Sequence, residues 1–257
     1  MATPPRILIT NDDGIHAPGI RALFRAAAAL GDPYVVAPRF EKSGVGHGIT
    51  IADPLKVSRV EDPDGFHGTA VTGTPADCVK LAIKGLLDFV PDLVVSGINQ
   101  GDNSATNILY SGTVAGALEG AMMGVPAIAF SLSSFRYTDY TLAEAVARVV
   151  IQRVLAEGLP EDTILNVNIP PVSREELKGF RITTQGKGRY EEVFEERINP
   201  QKRPYFWLGG RKLVLDTDEN TDDLAVMNHY VSITPLQVDL THHALRETLK
   251  GWNFKLD

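Results

Sequence analysis

Residues 7–14 read ILITNDDG, and the architecture follows from how this stretch is parsed. Residues 7–10 form an apolar run too short for a helix, and it breaks into Asn11-Asp12-Asp13-Gly14, where a glycine lets the backbone turn after two adjacent carboxylates. Such a run, bounded by turn residues, predicts a strand covered on both faces, the habit of parallel sheets. The same texture returns at residues 34–37, 93–95 and 127–132, each bounded by Pro or Gly. Helical punctuation fills the gaps. Pro18 stands at a first helical position, with Ile20, Leu23, Phe24 and Ala27 on one face and Gly31 closing the segment. Thr74-Pro75 opens a second helix with Val79, Ile83 and Leu86 as its stripe. A third runs from about Thr113 to Gly124 and is stopped by Pro126, and a fourth opens with Thr141 and Glu144 in capping-box spacing. Strand, loop and helix in rotation predict βαβ units and a largely parallel sheet, an α/β fold.

Beyond residue 160 the texture changes. Residues 163–169 read as a buried strand ended by Pro170 and Pro171, but residues 179–216 carry strand-like runs (180–184, 205–208, 212–215) between charged and glycine-rich loops, the pattern of antiparallel hairpins. Tyr190, Phe194, Tyr205, Phe206 and Trp207 concentrate aromatics in this polar region. Rings on such an arm either seek a partner surface or pack on their own domain. A strand at 230–235 and a short helix near 241–250 follow. The expected division is a catalytic core over residues 1–175 and an extension over 176–257.

Composition narrows the function classes. With 44% apolar and 22% charged residues in 257, a disordered, collagenous or disulfide-scaffold chain is excluded. A formal charge of −7 argues against a sequence-independent grip on a nucleic-acid backbone, and no sequence-specific nucleic-acid partner is expected. Any phosphate handled here is small and needs a cation or backbone amides. The single cysteine, Cys78, lies within the second helix and reads as a packed side chain. No apolar stretch approaches 18 residues, so no membrane span and a cytoplasmic location are expected.

In an open α/β sheet, ligands sit beyond the carboxyl ends of the strands. The loop after the first strand carries Asp12 and Asp13, whose mutual repulsion a hard divalent cation such as Mg²⁺ or Mn²⁺ relieves. An isolated Asp-Asp-Gly also reads as a capping carboxylate beside a solvated one. Two more strand-end loops are rich in uncharged oxygen donors: Ser43-Gly44-Val45-Gly46-His47-Gly48, and Ser96-Gly97-Ile98-Asn99 with Gly101 and Asn103. Ser111-Gly112-Thr113, at the start of the third helix, forms either a phosphate seat or an ordinary N-cap. Together they describe metal-assisted hydrolysis of a phosphate ester. The six histidines show no zinc-site spacing, and neither a nucleotide-triphosphate loop nor a serine-esterase elbow is present in the sequence.

The strings ILITNDDG (7–14), APRFEKSGVGHGIT (37–50), TGTPADCVKLA (72–82), VVSGINQGDN (94–103), YSGTVAGALEGAMMGVPAIA (110–129) and YVSITPL (230–236) resemble the stationary-phase survival protein SurE family of metal-dependent nucleotidases. The resemblance implies a Rossmann-like three-layer α/β/α core with a C-terminal hairpin and helix extension that exchanges contacts between subunits in a homodimer or homotetramer. It implies hydrolysis of nucleoside 5′- and 3′-monophosphates, with short-chain polyphosphate as a further substrate. One divalent cation per subunit, Mg²⁺ or Mn²⁺, would be held by Asp12, Asp13, Ser43 and Asn99, the two aspartates being the catalytic pair. Phosphate contacts map to Asn103, Ser111, Gly112 and Thr113, with Asn11 holding the carboxylate turn beside them. The chain departs from the family pattern at Asp102, where a small residue or Pro is usual, and at Ala105, where Gly is common. A metal-dependent deacetylase, which needs histidine ligands, and a nucleotide sensor without turnover are the competing readings.

Overall fold

The computed structural model describes residues 3–256. Its centre is a nine-stranded sheet. The strands of the parallel core are β1 (Arg6–Thr10), β2 (Asp32–Pro38), β4 (His67–Val71), β5 (Leu93–Gln100), β6 (Ala127–Leu132) and β7 (Thr163–Ile169). At one edge β3 (Val57–Glu61) pairs antiparallel with β4. At the other, β11 (Tyr230–Gln237) pairs antiparallel with β7 and parallel with β8 (Gly179–Ile182). The spatial order is β3-β4-β2-β1-β5-β6-β7-β11-β8. The chain therefore leaves β1 toward β2 and later returns to β1's other side as β5, which puts the topological switch between β1 and β5.

Side chains of β1 show why the strand must be covered twice. Ile7 and Ile9 point into one core with α1 (Pro18–Ala28) and α4 (Thr141–Glu157), while Leu8 joins the other with α2 (Pro75–Leu81) and α3 (Gly112–Met122). Ile20 and Leu23 of α1 and Val146 and Ile151 of α4 fill the first layer. Val79 of α2 and Val114 and Ala117 of α3 fill the second. The result is the three-layer α/β/α arrangement.

Several elements differ from the reading of the sequence. β5 continues through Ser96 and Asn99, which had read as loop, with a break in register against β6 between those two residues. A bulge of this kind re-aims side chains at a strand end. α2 passes into a π-helical turn over Ala82–Leu86, so its stripe does not continue at regular spacing. The capping box expected at Thr141 and Glu144 is not made: the Thr141 N–H donates to Asp139 Oδ1 at 2.8 Å. β3 and β4 gave no signal because β3 is an edge strand, exposed at four of its five residues. The run 205–208 and the first two residues of the run 212–215 belong to one strand, β10 (Pro204–Leu213), which passes through Gly209 and Gly210 and pairs antiparallel with β9 (Arg189–Ile198); Val214 and Leu215 lie beyond its end. This two-stranded ribbon stands apart from the nine-stranded sheet. The run at 180–184 is no part of the ribbon, since β8 lies in the main sheet beside β11. α5 (Asp222–Met227) precedes β11, and α6 (His243–Leu249) follows it. Cys78 is fully buried and burial pushes its thiol up, as expected of an inert packed side chain.

Candidate active site

The carboxyl end of β1 is shaped from within. Asn11, fully buried, donates through Nδ2 to the Gly14 carbonyl at 2.9 Å, which closes the turn under the two aspartates. Gly14 itself has φ +97°, a conformation that side chains resist. The Lys42 N–H donates to the Asp12 carbonyl at 2.7 Å, so the loop bearing Ser43 is fastened to β1's loop. That loop is fastened again by the Gly46 N–H, which donates to the Tyr110 carbonyl at 3.0 Å.

Asp12, Ser43, Asn99, Asn103 and Ser111 come together along one open cleft of about 230 Å³, with Gln100, Asp102, Asn107, Tyr110, Phe135 and Tyr190 on its other walls. Residues from four separate segments thus meet at the switch point between β1 and β5. The N-terminus of α3 presses on Asp12 so closely that a Cβ on Gly112 would lie 2.8 Å from Asp12 Cβ and 2.9 Å from its Oδ2. Thr113 Oγ1 donates to Asp12 Oδ1, and Ser111 Oγ accepts the Val114 N–H at 3.0 Å as the helix N-cap. Gly112 and Thr113 therefore face the carboxylate of Asp12. Neither they nor Asn11 nor Asp13 line the cleft, and Ser111 is the one member of the Ser-Gly-Thr run that does.

Burial raises the pKa of Asp12, partly offset by hydrogen bonds from the Thr113 side chain and backbone amides of the α3 N-terminus. Asp13 sits beside it and is pushed up to about 7, first by burial and then by the neighbouring Asp12 charge, although its Oδ2 accepts the Gln100 N–H at 3.0 Å. Two adjacent carboxylates that resist ionising together attract a cation. The donor set fits a hard one. Asn99 Nδ2 donates to the Gly101 carbonyl at 2.8 Å, which leaves its Oδ1 as the free donor, and Ser43 Oγ donates to Glu41 Oε1 at 2.7 Å while keeping lone pairs. Among the described residues no group of three or more His, Cys, Asp or Glu side chains is placed to hold a metal. Two carboxylates supplemented by neutral oxygens, with positions left for water, suit Mg²⁺ or Mn²⁺ better than zinc.

Other residues of the flagged loops have structural duties. His47 turns to Glu119, with Nε2 and Oε2 3.0 Å apart, and Lys80 pairs with the same carboxylate. Asn103 is held on three sides: its N–H donates to Asn168 Oδ1 at 2.8 Å, its Nδ2 to Ser131 Oγ at 2.8 Å, and its carbonyl accepts from Asn166 Nδ2 at 2.7 Å. Asn166, Asn168 and Ser131 were not singled out in the sequence. Buried amides on β7 signal polar work in the core, but only the fold shows which loop they serve. Asp102 is paired with Lys212 of β10 and accepts from Ser104 Oγ at 2.6 Å, so its charge is not free to face a ligand. Ala105 has φ +52°, which accounts physically for glycine being at home there. No helix among the described residues is long and apolar enough to cross a membrane.

Comparison with known proteins shows the family and the fold. Residues 7–192 match the family model described as survival protein SurE. A 5′-nucleotidase SurE of Chlorobium luteolum is 46% identical over 251 residues, covering 98% of this chain and 97% of that protein. That of Syntrophomonas wolfei is 48% identical over 243 residues, covering 94% and 92%. The crystal structure of the SurE protein from Aquifex aeolicus shares the fold with a TM-score of 0.83 at 45% identity, over 96% of this chain and 98% of that one.

Proposed function

The chain belongs to the SurE family, and from that premise we propose that it is a metal-dependent 5′-nucleotidase whose centre is the cleft between β1 and β5. The observation that carries the reading is the convergence of Asp12, Ser43, Asn99 and Ser111 on one cleft, with Asp13 immediately beside Asp12 and both carboxyls held above their ordinary range. Asp12, Asp13, Ser43 and Asn99 would hold one divalent cation. When bound, such a cation neutralises the carboxylate pair and polarises the phosphoryl oxygens as a Lewis acid.

The rest falls to this chain's own groups. Ser111, by capping α3, sets the helix's first turn at the cleft, so the positive end of the dipole stabilises charge on the phosphate. Thr113 fixes the rotamer of Asp12, and Gln100 fixes that of Asp13. Asn103, immobilised by β6 and β7, gives the opposite wall a rigid shape. Tyr110, Phe135 and Tyr190 border the same cleft and offer faces on which a nucleobase stacks. The substrate range proposed is nucleoside 5′-monophosphates, extended to 3′-monophosphates and short-chain polyphosphate, since the donors grip a terminal phosphoryl group and not its ester partner. The ribbon β9–β10, with Phe194, Phe206 and Trp207 exposed, would serve assembly into a homodimer or homotetramer.

The test is phosphate release from a panel of nucleoside 5′- and 3′-monophosphates and polyphosphate, after chelation and after return of Mg²⁺ or Mn²⁺. Turnover that vanishes with chelator and returns with metal is expected. Nucleotide binding by calorimetry without turnover under any metal would overturn the reading in favour of a sensor.

A further inference from the structure

The cleft's far wall is residues 102–110, the connection from β5 to α3, and its first part is held from an unexpected direction. Lys212 Nζ, at the end of β10, pairs with Asp102 and donates to Ser104 Oγ at 2.6 Å. Asp222, fully buried at the start of α5, accepts the Ala105 N–H on Oδ2 and the Gly186 N–H on Oδ1, both at 2.9 Å. Gln185 Nε2 donates to the Ala105 carbonyl at 3.0 Å. The Gly188 carbonyl accepts both the N–H and Oγ1 of Thr106, at 3.2 and 2.8 Å. Residues 102, 104, 105 and 106 are thus all gripped by residues 185–222.

Two features make this more than packing. Ala105 is left-handed at φ +52°, a conformation an L-residue resists, and it is clamped on both sides of its own residue by Asp222 and Gln185. Asp102 lines the cleft, so without Lys212 its carboxylate would add negative charge to a site that must admit a phosphate. The strand that carries Lys212 pairs with the one that carries Tyr190, another wall of the cleft, through Lys212 and Tyr190 themselves.

We propose that the base of the ribbon and α5 are positioning elements of the active site. Asp222 fixes the backbone of the cleft's far wall at Ala105, and Lys212 cancels the charge of Asp102, so the cleft takes its anion-accepting form only while these residues are seated. The inference rests on the phosphatase reading for its kinetic consequences and on geometry alone for its structural ones.

The experiment measures steady-state kinetics on a nucleoside 5′-monophosphate with Mn²⁺, together with hydrogen exchange of the metal-free protein. Lys212→Met is expected to raise KM about 10-fold with kcat nearly unchanged, an effect that shrinks as salt rises. The double variant Asp102→Asn with Lys212→Met is expected to return KM to within about twofold of the original, because the unbalanced charge is gone. Arg211→Ala, on the same strand but highly exposed, leaves both constants unchanged. Asp222→Asn is expected to lower kcat about 10-fold and to speed exchange at residues 102–110, with β1 and β6 still protected. A wild-type KM in Lys212→Met, no recovery in the double variant, or unchanged exchange in Asp222→Asn each overturns the proposal. Should Asp222→Asn fail to fold, the Lys212 series decides it. Absence of turnover in the unmodified protein would instead sink the phosphatase reading, and the exchange data would then judge the clamp by itself.

Discussion

β1 and the ribbon β9–β10 are built on opposite terms. Four of β1's five residues are buried, and its side chains alternate between two cores. All ten residues of β9 are exposed, as are the first eight of β10, and an isolated two-stranded hairpin is marginal in water. One strand is held by burial on both faces, the other by its ladder and by what grips its base. The proposed site lies where the well-held strands end, because carboxylates can be forced together only where the surrounding core outweighs their repulsion. The ribbon leaves Phe194, Phe206 and Trp207 exposed.

The contrast is broken most severely at Asp12. Asp12→Asn is expected to lower phosphate release by on the order of 10³-fold while circular dichroism and melting stay cooperative. A folded variant with full activity would show that the strand-end carboxylate is not part of the chemistry.

Asp13 tests the other half, the stored repulsion. Its carboxyl titrates near 7 in the folded protein and near 3.8 in the unfolded chain, so between those values the folded state binds more protons. Stability of the metal-free protein therefore falls as pH rises from about 4 through 7. Asp13→Asn removes that titration and is expected to make the metal-free protein more stable at pH 8, by about 2–3 kcal/mol in chemical denaturation. It is also expected to abolish turnover. A destabilised variant would contradict the claim that the site is strained without a cation.

Gly112→Ala sharpens the packing claim, because the added methyl meets Asp12 and not solvent. A loss of about 1–3 kcal/mol and at least a 10-fold fall in kcat are expected. On the ribbon, Trp207→Ser is expected to change the denaturation free energy of the core by less than about 0.5 kcal/mol. The same variant should lower the apparent mass on a sizing column. An unchanged mass would mean that the aromatics face no partner.

The elements that could be read from sequence are those with local punctuation. Gly14 after the aspartates, Pro18 and Pro75 at helix starts, and Pro170 after β7 mark boundaries whatever the tertiary context. β5 was read short because Ser96 and Asn99 look like loop, although a strand end entering a polar cleft carries such residues. β9 was missed because RYEEVFEERI presents no face to a core, and Gly209-Gly210 split β10 by imitating a turn. The capping pattern at Thr141 misled because Asp139 reaches the same N–H first.

The cleft residues Asp12, Ser43, Asn99 and Ser111 stood out because oxygen-rich loops at successive strand ends share one edge of a parallel sheet. What serves them did not stand out. Thr113 reads in the sequence as a phosphate contact, and in the structure its Oγ1 donates to Asp12. Lys212 and Asp222 act on Asp102 and Ala105 across more than a hundred residues, and no spacing rule connects them.

The most direct test of a single oxygen-lined cation site is calorimetric titration of the metal-free protein with Mn²⁺, beside Asp12→Asn and Asn99→Leu. One cation per chain in the unmodified protein, with binding lost in Asp12→Asn and weakened in Asn99→Leu, is the predicted result. Equal binding by all three, or none by the unmodified chain, would contradict it.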